Sequence, residues 1–83
     1  MNIVIFGGTG DLATRKLLPA LFRHHKSSRL PKKVNIVGIG SRSLSNEDYL
    51  NLVREKLNEH LKNSEFTLNQ IDLFLECLNY SFK

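Results

Sequence analysis

Three glycines lie within four residues near the start of the chain, in the run Gly7-Gly8-Thr9-Gly10, which we call the glycine turn. Glycine adopts the backbone angles that a tight turn demands, and we assign that role to Gly7. Gly10 would let the main chain approach a pyrophosphate with no Cβ in the way, and Ala13 would permit close packing of a helix on a strand. The spacing Gly-x-x-Gly-x-x-Ala is therefore a variant of the dinucleotide-binding fingerprint.

The segments on either side of the glycine turn predict that it joins a strand to a helix. Residues 2–6 are nearly all apolar and rich in β-branched side chains, which predicts a strand buried on both faces. From Asp11 to about Lys26 the apolar residues recur at helical spacing. The first amides of that helix and its dipole would hold phosphates, while Thr9 would add a hydroxyl contact and Asp11 would cap the helix. The simpler alternative is that the glycines only turn the chain.

Pro19 interrupts the predicted helix. A proline in a helix interior removes a backbone donor and clashes with the preceding turn. We therefore expect either a kink or two short helices that meet near Leu18, with Pro19 in the first turn of the second helix.

A second buried strand is predicted for residues 34–39, closed by Gly40. The pattern Ser-x-x-acid from Ser45 to Asp48 is typical of a helix start, and the amphipathic spacing that follows predicts a helix to about Lys62. Strand signals about 30 residues apart around a helix indicate a right-handed parallel crossover.

The last part of the chain repeats this organisation incompletely. Residues 63–65 break the helix, and a new helical pattern opens at Phe66 or Thr67 and continues through Leu78. Residues 79–83 would begin a third strand that the chain is too short to finish. We predict an α/β fold, a partial Rossmann-like β-α-β-α-α unit of an incomplete doubly wound sheet. The whole of 1–83 would form one dinucleotide-binding piece without a catalytic domain.

The end of the second predicted strand bears on the choice of nucleotide. NAD-binding units usually place an acid there for the ribose 2′-hydroxyl. Here Ser41 and Arg42 follow Gly40, and no acid occurs before Glu47. A guanidinium grips a 2′-phosphate, whereas a carboxylate would repel it. NADP is therefore favoured over NAD, with a solvated loop arginine as the alternative for Arg42.

The longer string Gly-Asp-Leu-Ala-Thr-Arg-Lys-Leu-Leu-Pro-Ala-Leu, residues 10–21, is more specific than the glycines. It closely resembles the N-terminus of the glucose-6-phosphate dehydrogenase family. The resemblance implies oxidation of glucose 6-phosphate to 6-phosphogluconolactone with hydride transfer to NADP, in the pentose phosphate pathway. It also implies that Lys16 lies near cofactor and sugar phosphate, and that the cofactor phosphates are cradled by Gly7, Gly8, Thr9, Gly10, Asp11 and Leu12.

Two departures from the family pattern stand out. The arginine that binds the 2′-phosphate in that family falls where this chain has Ser41, and a one-residue shift of the loop would be needed for Arg42 to replace it. Thr14 stands where a basic residue is common, on a face that we expect to be exposed. The general-base histidine and its partner acid have no counterpart here, so the chain alone is expected to be inactive.

Composition limits the alternatives. The chain has 83 residues, 41% hydrophobic and 24% charged, which is ordinary for a globular domain. We expect no membrane segment, a cytoplasmic location that suits a single cysteine, and homo-oligomers for the longer enzyme. A net charge of +4 without a clustered basic stripe argues against nucleic acid. A stand-alone nucleotide-binding or interaction module remains an alternative function.

We expect His24, His25 and His60 to be surface residues and Cys77 to lie on an apolar helical face.

Overall fold

The computed structural model describes residues 1–31, 33–62 and 66–82. Within them, strands β1 (Asn2–Phe6), β2 (Asn35–Gly40) and β3 (Leu78–Phe82) form one sheet in the order β1-β2-β3. Both pairs of neighbours are parallel. The predicted parallel α/β unit is therefore confirmed. The third strand is more than a beginning, because all five residues of β3 have partners on β2.

The helical region after β1 divides at the proline. Residues 11 and 12 are helical, Ala13–Leu17 form a π-helical segment, and α1 covers Leu18–Lys26 with Pro19 in its first turn. The Leu18 amide bonds to the Ala13 carbonyl, five residues earlier. The wider π turn suits a proline that has no amide hydrogen to give to the preceding turn. The expected meeting of two short helices near Leu18 is confirmed, and the π geometry is the part that was not predicted.

The other two helices start on side-chain caps. Helix α2 (Asn46–His60) begins after Ser45, whose Oγ accepts a hydrogen bond from the Asp48 amide at 3.1 Å. Helix α3 (Leu68–Leu75) begins after Thr67, which exchanges hydrogen bonds with Gln70 in a capping box. Both starts agree with the sequence pattern. The predicted break at residues 63–65 lies outside the described residues.

The core occupies one face of the sheet. On that face Ile5, Ile36 and Leu78 are buried against side chains of the three helices, whereas the alternating residues Val4 and Phe6 are exposed. The largest fully buried side chains among the described residues are Leu18, Phe22, Ile36, Tyr49, Val53, Leu57, Ile71, Phe74 and Leu78. Within the described ranges, no helix combines the length and apolar character needed to cross a bilayer.

Four expectations about single side chains are wrong. Thr14 is buried, because it faces back toward the glycine turn. His25 is half-buried, with its ring edge-on to Phe74 at 5.6 Å. Cys77 lies beyond the end of α3 and not on its face, because the helix stops at Leu75. His60 on α2 is half-buried as well, whereas His24 is exposed, as expected.

Candidate functional site

The first residue of the glycine turn, directly after β1, has a left-handed backbone conformation. Gly7 has a φ of +68°, which side chains with a Cβ rarely adopt. Its carbonyl accepts a hydrogen bond from the Gly10 amide at 2.8 Å, which closes the turn. The conformational role predicted for Gly7 is confirmed.

Gly8 fills a different role, because it is buried against β2. Its amide donates to the Ile39 carbonyl at 2.9 Å and so continues the parallel pairing beyond β1. A Cβ on Gly8 would lie only 2.9 Å from the Cα of Gly38. The turn therefore lies directly on the backbone of the neighbouring strand, and only a residue without a side chain fits there.

The helix begins at Asp11, so Gly10 is its N-cap residue. The Gly10 carbonyl accepts the first intrahelical bond, from the Thr14 amide at 3.0 Å. The prediction that Asp11 caps the helix is wrong, because Asp11 is already helical. Its carboxylate instead lies 3.7 Å from the Arg15 guanidinium. The amides of the first turn have no acceptor within the helix.

Thr14 was not recognised as part of this arrangement. Its hydroxyl donates to the Gly10 carbonyl at 3.0 Å, and it lies 3.4 Å from the Asp11 carbonyl. The side chain is only 4% exposed. A short β-branched side chain with a hydroxyl can bond back to the preceding turn of a helix. Thr14 therefore ties the helix start to the glycine turn from inside.

The loop after β2, residues 41–44, is called here the arginine loop. Phe6 lies opposite Ile39 in the parallel pair, so the glycine turn and the arginine loop leave the same edge of the sheet. The side chains of Ser41 and Arg42 are exposed at this edge. Ligands of open parallel sheets bind in the crevice outside the carboxyl ends of the strands, which is where these two loops lie.

The main chain of the arginine loop is fixed at one carbonyl. The Arg42 oxygen accepts hydrogen bonds from the Leu44 amide at 3.0 Å and from the Tyr80 hydroxyl at 2.7 Å. The Tyr80 ring stacks on that of Tyr49, with centroids 4.5 Å apart and planes 22° apart. Tyr49 in turn donates its hydroxyl to the Gly8 carbonyl at 3.0 Å. One pair of aromatic rings thus contacts both loops.

Two glycines of β2 make room for these rings. A Cβ on Gly38 would lie 2.8 Å from Cζ of Tyr49, and one on Gly40 would lie 2.7 Å from the Tyr80 hydroxyl. Burial, and secondly the nearby Tyr80, raises the pKa of Tyr49 to about 12, so its hydroxyl remains a donor at neutral pH. The sequence contained a signal for this pair: glycines at alternate positions of a strand leave one face open to large side chains.

The remaining predicted site residues are distributed along the start of the helix. Thr9 is half-buried, while Leu12 and Lys16 are exposed, with Lys16 in the π-helical segment. Within the described ranges, no three His, Cys, Asp or Glu side chains are grouped as metal ligands. The structure thus brings the glycine turn and the arginine loop to one edge and places Lys16 further along the helix.

A parallel sheet whose first strand runs through a glycine turn into a helix is typical of the Rossmann-like class of nucleotide-binding units. The comparison with protein families is more specific. A family model described as "Glucose-6-phosphate dehydrogenase, NAD binding domain" matches residues 4–82. The chain belongs to the glucose-6-phosphate dehydrogenase family.

Individual relatives agree with this assignment. The chain is 42% identical over 79 residues to glucose-6-phosphate 1-dehydrogenase of Rhizobium meliloti and 39% identical to that of Mycolicibacterium smegmatis, in each case over 95% of the chain. A solved glucose-6-phosphate dehydrogenase in complex with glucose-6-phosphate superimposes with a TM-score of 0.81 at 34% identity, over 99% of the chain. The enzyme from Mycobacterium avium gives 0.86 at 28% identity, also over 99%. The chain spans only 16–17% of the length of these relatives.

Proposed function

We propose that this chain binds NADP in the crevice between the glycine turn and the arginine loop. The observation that carries the proposal is that the glycine turn lies at the same edge of the sheet as a loop that offers Arg42 and no acid. Family membership supports a pyridine nucleotide in general. The exposed guanidinium favours the form with a 2′-phosphate.

Different residues at this edge would bind different parts of the cofactor. The free amides at the helix start and the Thr9 hydroxyl would bind the pyrophosphate, with Gly10 leaving space for the approach. Lys16 would add positive charge toward the phosphates. Arg42 and Ser41 would bind the 2′-phosphate. The bound nicotinamide supplies a hydride acceptor, and the chain's part is to hold and orient it.

The longer enzyme would use this unit for the oxidation of glucose 6-phosphate to 6-phosphogluconolactone. The glucose-6-phosphate dehydrogenases that the chain resembles carry that activity in their names. In this proposal residues 1–83 are the cofactor-holding fragment, and the acid–base residues, the sugar-phosphate ligands and the homo-oligomer contacts come from other segments of a cytoplasmic protein. The chain by itself would bind nucleotide without turnover.

The first experiment compares the affinity of the chain for NADP with its affinity for NAD. Purified chain is titrated with NADP and with NAD, and we expect the tighter Kd for NADP. Exchange of Arg42→Ala should weaken NADP about tenfold and leave NAD nearly unchanged, because only NADP carries the 2′-phosphate. Arg29→Ala is the matched control, since it removes the same charge from an exposed position after α1. Equal losses for both nucleotides would count against the role of Arg42.

A second substitution tests the pyrophosphate position. Gly10 is exposed, and the nearest atom to a Cβ placed there is the Gly7 carbonyl oxygen at 3.1 Å. Gly10→Val would fill the space through which the pyrophosphate approaches the backbone. We expect NADP and NAD to weaken alike, each more than about tenfold. Unchanged binding would move the nucleotide away from the glycine turn.

A further inference from the structure

The stacked tyrosines together hydrogen-bond to the backbone of both loops, Tyr49 to the glycine turn and Tyr80 to the arginine loop. Tyr49 comes from α2 and Tyr80 from β3, so neither belongs to the segments that carry the dinucleotide fingerprint. Each ring occupies the space that a β2 glycine leaves open. The pair therefore connects the position of the glycine turn to the position of the arginine loop through packed rings.

The two hydroxyls reach different parts of the site. Tyr49 donates to the Gly8 carbonyl, in the middle of the turn that would hold the pyrophosphate. Tyr80 donates to the carbonyl of Arg42 itself, the residue assigned to the 2′-phosphate. A side chain reaches a ligand with a fixed geometry only if its own main chain is held, because a bidentate guanidinium contact depends on direction as well as distance.

We propose that Tyr49 and Tyr80 are positioning residues of the nucleotide site. Tyr49 fixes the glycine turn and sets the affinity for both nucleotides, whereas Tyr80 fixes the arginine loop and sets the preference for NADP over NAD. This inference rests on the proposed nucleotide binding, and it assigns cofactor selectivity to a residue that touches no nucleotide. Asn46 supports the arrangement, because its Oδ1 accepts the Tyr80 amide at 2.8 Å and joins β3 to the start of α2.

The test compares six dissociation constants, for two nucleotides and three proteins, on the full chain. Kd values for NADP and NAD are obtained for the wild-type chain, Tyr49→Phe and Tyr80→Phe; phenylalanine keeps each ring in the stack and removes only the hydroxyl. We expect Tyr80→Phe to weaken NADP about threefold to tenfold with little effect on NAD, as the loss of one hydrogen bond allows. Tyr49→Phe should weaken both nucleotides by a similar factor.

Partial unfolding cannot imitate the Tyr80 result. A reduced folded fraction weakens both nucleotides by the same factor, so the ratio of the two Kd values is unchanged. For Tyr49→Phe, where both values move, Ile71→Val is the matched control because it trims a fully buried side chain of α3 outside the site. If Ile71→Val weakens binding as much as Tyr49→Phe does, the role of Tyr49 is overturned.

A second variant perturbs the Tyr80 hydroxyl by a substitution in β2. In Gly40→Ala the new Cβ would lie 2.7 Å from the Tyr80 hydroxyl and would displace that hydroxyl. Residue 80 itself remains a tyrosine in this variant. The same loss of NADP preference is expected. If the wild-type chain binds neither nucleotide, the proposed function itself fails. If it binds both and neither Tyr80→Phe nor Gly40→Ala changes the ratio, only the positioning role is overturned.

Discussion

The glycine turn and the arginine loop leave the same edge of the sheet, but they are held in different ways. In the glycine turn, both backbone groups of Gly8 and of Gly10 have protein partners, and Gly8 lies directly on β2. In the arginine loop one carbonyl, that of Arg42, accepts two hydrogen bonds while the side chains of Ser41 and Arg42 remain exposed.

The difference separates stability from selectivity. A ligand at the glycine turn would meet main-chain amides whose positions are set by packing, so added atoms there disturb the fold. A ligand at the arginine loop would meet exposed side chains, so their removal changes binding with little effect on folding. Substitutions in the two loops should therefore differ in the property that they change.

The largest expected effect is that of Gly8→Ala. The new Cβ would lie 2.9 Å from both the Gly38 Cα and the Tyr49 hydroxyl, and one of these is backbone. Because a strand cannot move as a side-chain tip can, we expect about 3 kcal/mol of lost unfolding free energy. Denaturant unfolding followed by circular dichroism measures it.

Gly7→Ala is the matched control, one residue earlier with the same chemical change. A Cβ on Gly7 meets nothing within 4 Å, and the cost is only that of its φ of +68°. We expect about 1 kcal/mol. If Gly7→Ala costs as much as Gly8→Ala, the turn is limited by its backbone angles and not by its packing on β2.

The sequence predicts the local features of this molecule better than its long-range contacts. The glycine spacing between a buried strand and a helix predicts the turn, and Ser45 predicts the start of α2, because both are local patterns. Tyr49 reads as one more apolar position of an amphipathic helix, since its partner Gly8 is 41 residues away. The burial of Thr14 depends on how the helix meets the turn. A contact as long-range as that of Tyr49 with Gly8 leaves no periodicity in the sequence.

The next effect in size concerns Tyr49 and alkaline pH. Its pKa is raised from 10.0 to about 12 in the folded chain, so folding favours the protonated hydroxyl. The resulting stability is complete below pH 10 and is lost as the pH rises toward 12. The loss should reach about 2 kcal/mol by pH 12, which is somewhat less than the full two pKa units at about 1.4 kcal/mol each, because at that pH only half of the folded chains have lost the proton.

Tyr49→Phe isolates this contribution from the lysines and from Tyr80. Unfolding free energies of the wild-type chain and of the variant are compared at neutral pH and between pH 10 and 12. We expect the difference between the two proteins to shrink as the pH rises. A constant difference would mean that the Tyr49 hydroxyl is open to water, contrary to its complete burial.

The smallest expected effect is at Thr14, on the inner side of the glycine turn. Thr14→Val keeps the shape and removes the hydroxyl that donates to the Gly10 carbonyl. That carbonyl still accepts the residue 14 amide, so no buried acceptor is left unpaired, and we expect about 0.5 kcal/mol. Thr14→Ser is the control, because it keeps the hydroxyl and removes a buried methyl group, for about 1 kcal/mol. A larger loss from valine than from serine would show that the hydroxyl, and not the packing, holds the helix start against the turn.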